Sequence, residues 1–325
     1  MQLQEKAHYN LLRLKWLHDQ SLDVKPWQIE DYRILEDAEL FRRLSNMGIS
    51  LDRNQFLIFA DECETPEELT ELLRIDETNL EERDHVYLLL FELWRRYLPE
   101  KQSITLFCDE LDHQITLYDQ GVVDIERMQE ILNELEDILD QHVDAGEEPK
   151  TIFSTLSACC AHDLDRFLYD FILDNMDNGD ETYASELIDG FYEYLEETKG
   201  FDFLRLHLFA EVDPIETARL LNQLLERLQE EPDFELLIEV GYFLVSFGED
   251  SLFRPTILEA LKQMENEEDF QEVLALVHNY YNCLDQEEKE KQIDTLLQSR
   301  SERDLNAPID PQDSAIELLK HHLPE

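Results

Sequence analysis

The chain is poor in glycine, proline and positive charge, and each shortage excludes something. Only 8 Gly and 10 Pro occur in 325 residues. They fall mainly between apolar-periodic stretches, which is the punctuation of a helical protein. The closest glycines, Gly241 and Gly248, stand seven apart, so neither a dinucleotide-binding G-x-G-x-x-G nor a Walker phosphate loop can be written. The nucleophile elbow G-x-S-x-G fails for the same reason. The longest apolar run, Val86 to Phe91, is six residues, far below the ~18 of a membrane span. The opening Met1-Gln2-Leu3-Gln4-Glu5 lacks the basic-then-apolar layout of a signal peptide. Five cysteines, an odd number at irregular spacing, make no disulfide framework. The expectation is a cytoplasmic protein with no membrane association.

Basic residues are outnumbered 77 to 27, so at least 50 carboxylates have no basic partner within the chain. Such a surface repels nucleic acid and anionic lipid. It suits a basic protein partner, a cation, or solubility. Acidity here does not mean disorder, because 43% of the residues are hydrophobic and 17 Phe, 12 Tyr and 3 Trp supply a core. The charge is also regional. Residues 1–50 hold 7 basic and 8 acidic residues, which leaves 20 and 69 for residues 51–325. Trp16 and Trp27 stand in the near-neutral opening; large aromatics mostly serve burial, and both are also candidates for partner contact.

What the sequence has in quantity is helical periodicity. In 124–143, Ile125, Met128, Ile131, Leu132, Leu135, Ile138 and Leu139 recur at three- and four-residue steps, with Glu and Asp on the other face. Thr65-Pro66-Glu67-Glu68 and Asp213-Pro214-Ile215-Glu216 read as helix starts, each with a capping residue and a first-turn proline. Helical segments are predicted in succession from 2–20 to 313–322, including 27–34, 79–98, 103–119, 181–198 and 251–264. No stretch alternates with period two, so the fold class is all-α.

One internal repeat is visible. Leu187, Phe191, Leu195, Phe201 and Leu204 are matched 33 residues later by Leu220, Leu224, Leu228, Phe234 and Leu237. A third copy, with Ala260, Met264, Phe270 and Val273, follows after 36. A period in the thirties marks stacked helical hairpins, in which neighbours bury apolar surface that one hairpin cannot bury alone. The small residues of tetratricopeptide crossings are missing, and no family is assigned. The predicted architecture is a helical-hairpin, α-solenoid-like array with a less regular N-terminal half. It divides into 1–145, 150–299 (clearest repeats 181–284) and 300–325, the last being a loose linker with a short helix.

Candidate chemistry is sparse. Glu-x-x-His, which places two ligands on one helical face in di-metal bundles, occurs at Glu5/His8, Glu82/His85 and Glu110/His113. The last two pairs flank the turn at 99–101 about equally, so a hairpin could bring Glu82, His85, Glu110 and His113 level. Three such pairs are unremarkable for 10 histidines in so glutamate-rich a chain. No resident metal or other cofactor is therefore expected. His162-Asp163 is too short a motif to identify a phosphohydrolase. Cys159 and Cys160 are too close together for the usual zinc spacing. The run 174–180 lacks the ligands of a calcium loop and reads as an interhelical turn. Arg42-Arg43 and Arg95-Arg96 read as internal salt-bridge donors. Tyr192, Tyr194, Tyr242, Tyr280 and Tyr281 fall at related places in the repeats, and an exposed member of each group would form a binding strip.

These readings point to a non-catalytic interaction scaffold, adaptor or chaperone-like regulator with a basic protein partner. The alternatives are a nucleic-acid-mimicking inhibitor or immunity protein, and a di-metal bundle oxidoreductase.

Overall fold

A computed structural model describes residues 6–73, 79–210, 212–247 and 250–324. The chain is all-helical, with no strand among the described residues and one isolated bridge, Asn266–Pro308. No described helix is long and apolar enough to cross a membrane. The chain divides into two compact units, Met1–Phe171 with Glu193–Glu196, and Ile172–Tyr192 with Glu197–Glu325. The stretch Asp144–Pro149, expected from the sequence to join two halves, lies inside the first unit, and the division falls within a helix.

The first unit holds α1 (Lys6–His18), α2 (Pro26–Ile29), α3 (Asp37–Asn46), α4 (Arg53–Asp61), α5 (Pro66–Leu72), α6 (Leu80–Tyr97), α7 (Ile104–Asp119), α8 (Ile125–Asp144) and α9 (Pro149–Ser157). Capping side chains set several starts. Thr65 accepts from the Glu68 N–H before α5, Ser103 from Leu106 before α7, and Asp124 from Glu126 before α8. The expected helix over 27–34 is interrupted: Glu30 is extended, and a separate 3-10 turn, Tyr32–Ile34, begins where the Asp31 side chain accepts from Arg33. The core of the unit is α6. Val86 to Trp94 are buried without a break, as expected of a helix that is apolar all round. Against it pack α3, α5 and the 3-10 turn. By contrast α8 buries one stripe (Met128, Ile131, Leu132, Leu135, Leu139), while Glu126, Glu130, Asp137 and Asp140 stay exposed.

From α10 (Leu164–Asp177), which spans the division, the chain continues through α11 (Glu181–Phe191), α12 (Lys199–Ala210), α13 (Pro214–Glu230) and α14 (Phe234–Phe247). It ends with α15 (Asp250–Gln263), α16 (Glu267–Cys283), α17 (Glu287–Arg300) and α18 (Ser314–His322). The helix expected to 198 stops at Phe191, and a 3-10 turn follows. Pro255 lies inside α15 rather than at its edge.

The hairpin period is present with a different phase. The sequence pairs α11 with α12, α13 with α14 and α15 with α16; the closest packing is instead α12 on α13, α14 on α15 and α16 on α17. The helices α12, α14 and α16 also pack in succession. The reason lies in their faces. α14 buries Leu236, Leu237, Ile238, Val240 and Phe243 around most of its circumference, whereas α13 buries a single stripe of Thr217, Leu221, Leu224 and Leu228. A one-stripe helix lies flat on one neighbour; a helix buried nearly all round is sandwiched. Gly241 permits the close approach of α14 to α16, since a Cβ there would stand 2.4 Å from Leu276 Cδ2.

The stretch read as a loose linker is tied down. The N–H groups of Glu267 and Glu268 donate to the carbonyls of Ala307 and Leu305, and Ile309 donates to Glu265 (2.9, 3.0 and 3.1 Å).

Candidate functional site

The first unit contains a polar cleft of about 140 Å³ lined by α1, the 26–33 segment, α7 and His162. Its floor is two carboxylates on successive turns of α7, Asp109 and Asp112, both buried. Burying charge is costly unless it is paired and hydrogen-bonded, and both are. Asp109 is 2.9 Å from Lys6 Nζ and 2.6 Å from Arg33 Nη2, and accepts from Asn10 Nδ2 at 3.0 Å. Burial pushes the Asp109 carboxyl up, but Lys6 and Arg33 outweigh that and hold it below its ordinary range. Asp112 accepts from the backbone N–H groups of Ala161 (2.9 Å) and His162 (3.1 Å), from Asn10 Nδ2 (3.1 Å), and faces His162 Nδ1 at 3.0 Å. The pair thus fastens α1, the 3-10 turn and the 160–163 turn to α7.

The geometry gives one chemically suggestive group. His162 is oriented by Asp112 through Nδ1, and its Nε2 makes no hydrogen bond, the Asp119 carboxylate standing at 3.9 Å. A carboxylate-oriented imidazole is half of a general-base dyad. A nucleophile beside it is missing from the described cleft: the Thr116 hydroxyl donates to the Asp112 carbonyl. The motif His162-Asp163 therefore reads as an anchor, and the partner that matters is Asp112, fifty residues earlier.

The four metal candidates are not gathered. His85 stacks on Trp27 (centroids 5.0 Å apart, planes 12°) with Tyr32 edge-on. Burial, with Arg43 nearby, lowers its imidazole to about 4. Glu82 interacts with the Asn79 cap of α6. Glu110 is held by Arg33 at 2.7 Å and by Gln114, and its carboxyl is below the ordinary range because Arg33 outweighs the effect of burial. His113 lines the cleft, its imidazole lowered by burial and by Arg33. Among the described residues no three His, Cys, Asp or Glu side chains come close enough together to hold a metal ion. Cys160 meets the Cys108 thiol, and that contact together with burial pushes it well up, away from the thiolate a metal needs.

The aromatic candidates separate in the same way. Tyr194 is buried with its hydroxyl on Asp140; Tyr280 is buried and stacked on Phe253; Tyr281 is buried with its hydroxyl on the His322 carbonyl. Both members of the Tyr280-Tyr281 pair are inside, because α16 is covered on more than one face. Tyr192 is half-buried under Arg205 and donates to Asp202, and Trp27 is half-buried against the core. Trp16 is half-buried, and Tyr242 is exposed. A continuous tyrosine strip is not formed.

The basic side chains are largely occupied internally. Arg42 and Arg43 pair with Glu39, and Arg43 also with Glu30; Arg95 and Arg96 pair with buried Glu92, and Arg96 also with Asp37. Arg227 meets Asp202 and Glu197, and Lys101 donates to the carbonyls that end α4. On α8 the outward face carries carboxylates. Sequence reading missed Lys6, Asn10, Arg33, Asp109 and Asp112; two carboxylates three apart on the apolar face of 103–119 were the available signal. The chain matches no family model, no curated protein and no solved structure.

Proposed function

We propose that the chain is a non-catalytic interaction protein, an adaptor or chaperone-like regulator that presents carboxylate-rich helix faces to a basic protein. The observation that carries this reading is the internal use of its few cations: Arg and Lys are spent on Glu92, Asp109, Asp37 and their like. The outward carboxylates, such as Glu126, Asp137 and Asp140, therefore act on the surroundings unneutralised. Such a field steers an oppositely charged partner and sets specificity by sign. The test is capture from a lysate on the immobilised chain with a salt-gradient elution. Basic proteins released together at moderate salt are expected; a captured set with no excess of basic members overturns the reading.

A second reading, nucleic-acid mimicry, is favoured by the row of exposed carboxylates at four- and seven-residue steps on α8. Duplex DNA added to the loaded chain distinguishes the two. Displacement of the partner by DNA supports mimicry, and retention supports the adaptor.

A further inference from the structure

We infer that Cys108 and Cys160 form an oxidation site, a thiol pair that a hydroperoxide closes to a disulfide, fixing the 160–163 turn to α7. The inference stands on the meeting of two remote stretches of the first unit. Cys108 and Asp112 lie one turn apart on α7 and so share a face. Asp112 holds the N–H groups of Ala161 and His162, while the Cys108 thiol reaches the Leu156 carbonyl at 3.8 Å. The backbone is thus pinned against α7 on both sides of Cys160, and the Cys160 thiol meets that of Cys108. Both cysteines are free.

Burial assigns the order of events. Cys108 is fully buried, whereas Cys160 is half-buried and lies in the irregular stretch after α9. A small oxidant therefore reaches Cys160 first, and Cys108 only through it. The Cys160 sulfur attacks one peroxide oxygen, the O–O bond breaks, and a sulfenic acid forms as water or an alcohol leaves. The Cys108 sulfur then attacks the Cys160 sulfur, the S–O bond breaks, and water leaves as the disulfide forms. The pair gives up two electrons to the peroxide, and both thiol protons depart with the two leaving molecules. The Cys108 contact, burial and the Asp112 charge keep Cys160 a thiol, so the first step is slow at neutral pH and needs sustained oxidant. Cys159, also half-buried, is a poor alternative partner for Cys160. Adjacent Cα atoms stand about 3.8 Å apart across a trans peptide, below the roughly 4.4–6.8 Å of ordinary disulfides.

The test exposes the full chain to hydrogen peroxide at mildly alkaline pH, alkylates the remaining thiols and maps linked peptides by mass spectrometry. A Cys108–Cys160 linkage is expected as the main product, formed at a rate independent of protein concentration and reversed by dithiothreitol. In the oxidised chain, hydrogen exchange at Ala161 and His162 should slow by about tenfold or more. Cys160→Ser should abolish both effects, and Cys159→Ser should leave both in place. Circular dichroism confirms that the variants are folded; if Cys160→Ser is not, the parent map and Cys159→Ser decide. A Cys159–Cys160 linkage, a linkage between chains, or Cys160 carried to the sulfinic acid beside an unmodified Cys108 overturns the pairing. So does a Cys160 left untouched at a dose that fully oxidises the exposed Cys283. A Cys108–Cys160 linkage that leaves exchange at Ala161 and His162 unchanged overturns the fixing of the turn.

Discussion

Arg300 and Glu267 form a two-pronged ion pair closed off from solvent. Nε meets Oε1 at 2.6 Å and Nη2 meets Oε2 at 2.5 Å, with the two side chains 1% and 4% exposed. The guanidinium also lies over the Phe270 ring and reaches Asp313 at 2.8 Å, joining the end of α17 to the start of α16 and the cap of α18. Burial raises the Glu267 carboxyl, and the Arg300 hydrogen bonds outweigh it and bring it below the ordinary range.

Removing Arg300 leaves the buried Glu267 carboxylate with only Gln271, at 3.1 Å, and the half-exposed Arg303, at 3.5 Å. Arg300→Met should cost about 3–5 kcal/mol in urea unfolding followed by a probe in the second unit. Arg300→Met with Glu267→Leu should recover most of the loss, because both charges leave together. A single variant within about 0.5 kcal/mol of the parent would show that the pair contributes nothing.

Asp112 is the corresponding anchor of the first unit. Asp112→Ala leaves the N–H groups of Ala161 and His162 without their acceptor and the Asn10 amide with Asp109 alone. At about 1–3 kcal/mol for each buried group left unsatisfied, several kcal/mol should be lost, and hydrogen exchange at Ala161 and His162 should accelerate. Unchanged exchange there would contradict the anchoring role.

His85 sets a pH dependence whose sign follows from its burial. Its imidazole titrates near 4 in the fold and near ~6.5 in the unfolded chain. Above the unfolded value both states are neutral and the fold keeps its full stability. As pH falls from there toward 4 the unfolded state takes up the proton first, and stability is lost. His85→Phe keeps an aromatic ring for Trp27 and removes the titration. Between pH 7.5 and 5 the Tm of the parent should drop further than that of the variant. Parallel curves would remove His85 from the account.

The all-helical class was legible because it rests on local rules. The stripe of α8, the Thr65-Pro66 and Asp213-Pro214 starts and the internal use of Arg42, Arg43, Arg95 and Arg96 are set by residues close in sequence, or by a charge balance that forces arginines to find carboxylates. The hairpin phase was not legible, since periodicity gives the spacing of helices and not which neighbour each stripe meets. The same limit misassigned Tyr280 and Tyr281: adjacency on a helix separates two side chains, but α16 is covered on more than one side, so both are buried. The cleft escaped for a related reason. Lys6, Arg33 and Asp109 lie far apart in the chain, and their meeting follows from the docking of α1 and the 3-10 turn on α7.

The claim that outward carboxylates drive binding is tested most directly by the dissociation constant for the captured basic partner across an ionic-strength series. Exposed charges lose their reach as the screening length shrinks, from ~10 Å at 0.1 M to ~3 Å at 1 M. Between 50 and 300 mM NaCl the Kd should rise by roughly tenfold or more, carried largely by a slower association rate. A Kd that stays constant over that range would contradict the account.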